Sequence, residues 1–207
     1  MPEGRYLADS IKLVHASAAI RARPEMYVGD VNDPDTLVGL ACAPLCLAID
    51  RWTGGPARTV EVELCGDGSI RTHNDGPGIR VVEIRPGMLS LESIMTQLHA
   101  CAAMKSDAKH ASWCGDERHN HGIAVMNALG AWCRLEVRRD GRLYTQAYER
   151  GRPTAPVAQA PDDGPTGTTV TWMPDAEVLG ASLDRTRLEE RLTSFRESFP
   201  CIEVVLT

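Results

Sequence analysis

The chain has 207 residues, 43% of them hydrophobic and 24% charged, with a formal net charge of −6. That is enough for one domain with a full core. With no basic block it points away from direct binding to a DNA phosphate backbone, since Arg138-Arg139, the densest positive spot, reads as a hairpin edge. No run approaches membrane-spanning length, the N-terminus lacks a signal-peptide core, and seven cysteines form an odd set with no framework spacing, so a cytoplasmic protein with reduced thiols is expected.

In chain order, apolar spacing predicts a helix over 10–23, stopped by Pro24, and a second, unusually apolar helix over 36–51 closed by Gly54-Gly55-Pro56. A hairpin follows, 59–65 and 69–72, turning at Gly66-Asp67-Gly68. Residues 91–104 read as helix and 105–121 as an irregular polar loop. Gly122 opens a short apolar helix, GIAVMNALG, with Asn127 as a buried hydrogen-bonding residue. A second hairpin, 134–138 and 143–149, turns at Asp140-Gly141. After a loop over 151–167 come a strand over 168–172, a helix over 184–198 and a final strand over 202–206. No linker or repeat interrupts the chain, so a single α+β domain over 1–207 is expected, with helices packed on a mostly antiparallel sheet.

One stretch carries more than structure. THNDGPGI, 72–79, sets Gly76 and Gly78 two apart after a strand, as in a nucleotide-binding loop. Around it, AIRARPEMYVGD (19–30), DGSI and NDGPGI (67–79), LHA (98–100), HGIAVMNALG (121–130), EVRRDGRLYTQAYERGRPTAP (136–156) and TGTTVTWMPD (166–175) follow one another. In that order and spacing they resemble the ATPase domain of the DNA gyrase B subunit and its topoisomerase IV relative. The resemblance runs from Tyr6 to the C-terminus. It implies the two-layer α/β sandwich of the GHKL (Bergerat) superfamily. It also implies a chain that stops with the nucleotide domain, with no transducer or cleavage domain and so no unaided strand passage.

The resemblance implies a glutamate general base and an asparagine magnesium ligand on the helix over 36–51. Counting from RPEMYVGD puts those roles at Cys46 and Asp50. Counting back from NDGPG gives Ala43 and Leu47. Both registers stay open, but no glutamate occurs between Glu25 and Glu61. Neither a thiol nor a methyl group can do a carboxylate's work near neutral pH. The family's glycine pair and lysine after LHA are replaced by Cys101, Ala102 and Ala103. Its glycine-rich lid turn is replaced by a run from Asp116 to His121 that leaves only Gly122. Backbone N–H groups made approachable by glycine are what cradle phosphate, and two acids there repel it. Neither ATP and magnesium turnover nor any other cofactor is therefore expected.

The base-recognition end is better kept. Asn74 stands where the family has an aspartate that accepts from the adenine amino group, and Thr168 matches its base-side threonine. The retained cleft group is Asn74, Gly76, Gly78, Gly122 and Thr168. Four of the six histidines gather in the lid with two thiols. His99 and His119 match family histidines, whereas His110, His121, Cys101 and Cys114 are additional. The additional four offer thiolate and imidazole ligands for zinc, though at spacings of no recognised pattern. For acid–base chemistry the candidates are His73, Asn74, Asp50, His99, His119 and His121.

The expectation is a repurposed gyrase-B-like domain whose cleft binds and transforms a different small molecule, in bacterial specialised metabolism. A non-catalytic gyrase mimic, binding a gyrase inhibitor, a nucleotide or a gyrase partner, is the alternative. Tyr6 matches an arm tyrosine that reaches a neighbouring protomer, so the chain is expected as a monomer or an arm-exchanged homodimer.

Overall fold

The computed structural model describes residues 15–49, 56–98, 100 and 121–207. The first helix, α1 (Ala16–Ala22), begins at His15, whose ring nitrogen accepts from the Ser17 amide. A single turn, α2 (Glu25–Val28), follows. Asp33 then caps α3 (Pro34–Ala41) by accepting from the Asp35 amide, with proline at the first position where its missing N–H costs nothing.

The one long helix expected over 36–51 is not formed. It breaks at Cys42 into a 3-10 turn (Ala43–Leu45) and a separate turn, α4 (Cys46–Ile49). Pro44 is the cause: it can donate no amide hydrogen bond to Leu40, and its ring crowds that carbonyl. The chain tightens instead, with the Leu45 amide bonding Cys42 O at 3.0 Å.

Strands β1 (Thr59–Leu64) and β2 (Ile70–Asn74) form the first hairpin, and β2 runs two residues further than expected, through Asn74. A small hairpin, β3 (Glu83–Arg85) and β4 (Met88–Leu89), leads into α5 (Ser90–Thr96). After α6 (Ile123–Ala128) come the long strands β5 (Gly130–Arg139) and β6 (Arg142–Glu149). The expected loop over 151–167 holds two short strands, β7 (Arg152–Pro153) and β8 (Ala158–Pro161), both paired with β6. Neither has a β-branched pattern to announce it, and their prolines suit a sheet edge, where no ladder donor is needed. Finally β9 (Gly167–Pro174), α7 (Arg185–Ser198) and β10 (Glu203–Leu206) complete the order.

The main sheet runs β10-β1-β2-β9-β5-β6-β7, with β8 also on β6. Among the described residues only β1 and β10 pair in parallel. Buried apolar positions fall on one face of each long strand: Val60 and Val62, Ile70, Val170 and Trp172, Cys133, Leu135 and Val137. They join one core cluster with Leu40, Leu45 and Leu47, with Ile123, Met126 and Leu129, and with Leu188, Leu192 and Phe195 of α7. The α7 residues recur at i, i+4 and i+7, the spacing that gives a helix one apolar side. This is the expected α+β architecture, a helical layer on a mostly antiparallel sheet. Among the described residues no helix is long and apolar enough to cross a membrane.

Candidate functional site

Cross-strand register builds the site. On the buried face one row runs Val204, Val60, Asn74, Thr168, Val137, Tyr144 across six strands. Asn74 and Thr168 are a polar pair between two fully buried valines, and they are themselves 2% and 1% exposed. Buried polar groups normally find partners, because an unmade hydrogen bond is costly there. Asn74 Oδ1 has one, the Gly76 amide at 3.1 Å, in a tight Asx turn. Thr168 Oγ1 has none among the described residues.

The loop after Asn74 is held from both sides. Asp75 accepts from the amides of Arg58 at 2.7 Å and Thr59 at 2.9 Å. Burial works against ionising Asp75, but these N–H groups outweigh it and keep its carboxyl below the usual carboxylate range. Arg139 donates to Gly78 O at 2.7 Å, tying the loop to the end of β5. Gly78 has φ +79°, and a Cβ there would meet Arg138 O at 2.7 Å, so only glycine fits. At Gly76 a Cβ would meet Asn74 Oδ1 at 2.9 Å. The two glycines therefore serve close packing. The Gly76 amide is spent on Asn74 and is not offered to an anion.

His73 is separated from this group. Strand alternation sends it to the opposite face, in a row with Glu61, Thr169, Glu136 and Thr145. Its Nδ1 shares a 2.9 Å hydrogen bond with Thr169 Oγ1. Burial pushes the imidazole below its usual range, and the nearby Glu61 carboxylate pulls it back only partly. The acid–base set that grouped His73 with Asn74 is thus split between two faces of the sheet, and the period-2 pattern Ile70, Thr72, Asn74 was the signal that could have shown it.

The other candidates divide in two. Gly122 is the N-cap of α6, its carbonyl accepting from the Val125 and Met126 amides, and His121 beside it is 9% exposed. Asp50, His99, His119, Cys101, His110, Cys114 and Tyr6 lie outside the described residues. Among the described residues no group of three His, Cys, Asp or Glu side chains could hold a metal. The positions weighed for the general base and magnesium ligand, Ala43, Cys46 and Leu47, are all buried in the core. Burial also pushes the neighbouring Cys42 thiol up to about 12, so it is an inert packing group. Asn127 is buried as expected, donating to Met95 O at 2.8 Å.

A separate cavity of about 250 Å³ lies between β5, β6 and the segment that links β7 to β8. Arg134, Glu136, Gln146, Thr154 and Pro156 line it, and it includes neither Asn74 nor Thr168. No sequence signal marked it. Gln146 is satisfied there, accepting from Tyr148 Oη at 2.5 Å and donating to Glu92 Oε2 at 3.1 Å and Ala155 O at 3.2 Å.

No protein-family model matches the chain. Individual proteins do. The chain is 35% identical over 201 residues to the DNA gyrase B subunit of Caulobacter vibrioides, covering 91% of this chain and 25% of that protein. It is 32% identical over 203 residues to the DNA gyrase B subunit of Thermotoga maritima, covering 97% and 31%. It is 35% identical over 176 residues to the type 2 topoisomerase B subunit of Aquifex aeolicus, covering 84% and 22%. The chain thus spans about a quarter of the length of the curated relatives it matches.

Proposed function

We propose that this chain, a gyrase-B-like domain related to the DNA gyrase and type 2 topoisomerase B subunits, binds a small uncharged heterocycle at Asn74 and Thr168 and does not hydrolyse ATP. The observation that carries the proposal is the buried, unpartnered Thr168 hydroxyl beside Asn74. A hydroxyl left unpaired in an apolar row costs stability unless a ligand supplies the partner.

Loss of hydrolysis follows from chemistry. The helical segment that would carry the general base has no glutamate, and its candidate positions are buried Ala43 and Cys46. Cys101, Ala102 and Ala103 stand in place of phosphate-cradling glycines, and Asp116 and Glu117 bring negative charge to the lid sequence. On the pattern of the resemblance, a triphosphate would thus meet acids where it needs donors. Binding rather than transformation is favoured because Asn74 and Thr168, the polar pair in the row, do not titrate near neutral pH, and His73 is on the opposite face.

Calorimetry comparing nucleosides with their triphosphates, alongside a phosphate-release assay, tests the proposal. The triphosphate should add no affinity, and phosphate release should stay at the buffer rate. ATP turnover that disappears in Thr168→Val would overturn it.

A further inference from the structure

We infer that the ligand of this cleft presents a ring carbonyl to Asn74, a lactam edge of the 6-oxopurine kind, and not an amino group. The inference rests on the proposed cleft binding and adds the hydrogen-bond polarity of its base-reading end.

An asparagine side chain has one accepting and one donating end, and either could in principle face a ligand. Here the backbone decides. The Gly76 amide can only donate, and it points at the Asn74 side chain across 3.1 Å. Oδ1 must therefore face Gly76, because a flipped amide would oppose two donors in a buried place. A carboxylate in the same position would have a second accepting oxygen left for a ligand amine. Asparagine has only Nδ2 left, and Nδ2 has no hydrogen-bond partner among the described residues.

The surroundings sharpen the choice. Val60 on one side and Val137 on the other are fully buried and carry no polar side-chain group. The Thr168 hydroxyl, directly across the register from Asn74, can rotate to donate or accept, so it fits either polarity. Asn74 alone is fixed. A ligand amine aimed at Nδ2 would set donor against donor. A ring carbonyl meets Nδ2–H, and the adjacent ring N–H of a lactam can be accepted by Thr168 Oγ1.

Inosine and adenosine separate the alternatives, since they share a sugar and differ only at the edge in question. Titration calorimetry of the full chain should show inosine binding about tenfold or more tightly than adenosine. Asn74→Asp should reverse the preference, and a melting curve checks that the variant is folded. The wild-type comparison stands without the variant. Equal affinities, or a preference for adenosine, would overturn the lactam assignment and leave cleft binding in place. Saturable binding of neither nucleoside would overturn both.

Discussion

Asn74 and Thr168 stand opposite each other on β2 and β9, yet no hydrogen bond joins their side chains. Asn74 turns its oxygen to Gly76, and Thr168 Oγ1 stays unpartnered. Replacing that hydroxyl with a methyl group of similar shape should therefore help the empty protein. Thr168→Val is expected to stabilise it by about 1 kcal/mol, raising Tm by roughly 2–4 °C for a chain of this size, while ligand affinity falls at least about tenfold. Thermal unfolding and calorimetry on the same sample check both halves. A loss of stability would mean that the hydroxyl has a partner in the folded protein.

Arg21 joins three elements at one point. It donates to Asp175 Oδ2 at 2.6 Å and to Ala128 O, the carbonyl at the end of α6, at 3.0 Å. Burial works against the Asp175 charge, but the Arg21 hydrogen bond, the Glu177 amide and the nearby Arg150 outweigh it and hold the carboxyl below the usual range. Asp175→Ala leaves a part-buried arginine unpaired and should cost about 3 kcal/mol. A depressed folded-state pKa gives stability that is full above the ordinary carboxylate value and is lost as pH falls through the folded one. Urea midpoints measured downward from pH 5 should accordingly fall in the wild type, and less steeply in the variant.

His73 adds a second pH dependence in a different window. Its imidazole titrates below the usual value in the folded chain, chiefly because of burial against Thr169. The unfolded chain takes up the proton first, so stability is full above about pH 6.5 and declines as pH falls towards the folded value. In His73→Gln that part of the slope should vanish. An unchanged slope between pH 7 and 5 would show that this imidazole is not depressed.

Gly151 follows β6 at φ +75°, and a Cβ there would lie 2.6 Å from Ala128 Cα and 2.8 Å from Ser17 Cβ. Strain and overlap act together where α1, α6 and the β6–β7 turn meet. Gly151→Ala should cost about 3 kcal/mol or more. Gly141, at φ +71° with nothing within 4 Å of its Cβ site, should tolerate alanine at about 1 kcal/mol. Chemical denaturation of the two variants tests the contrast.

Much was legible in the letters because it rests on local rules. Hydrophobic period, the Asp140-Gly141 turn and the stop at Pro24 placed most elements within a few residues. Pro44 was also in plain sight as the break in the second helix, but its apolar neighbours hid it. The edge strands β7 and β8 were not legible, since their pairing depends on β6 arriving alongside.

By itself the sequence determined the α+β architecture, the kinship with gyrase-type B subunits and the absence of a glutamate from 26 to 60. Those are matters of pattern and residue identity. Tertiary structure alone decided which groups meet. It set Thr168 beside Asn74 from almost a hundred residues away, sent His73 to the other face, and through the Gly76 amide fixed which end of Asn74 a ligand would find. A side chain's chemistry is written in its letter, but the direction of its hydrogen bonds is set by the neighbours the fold supplies.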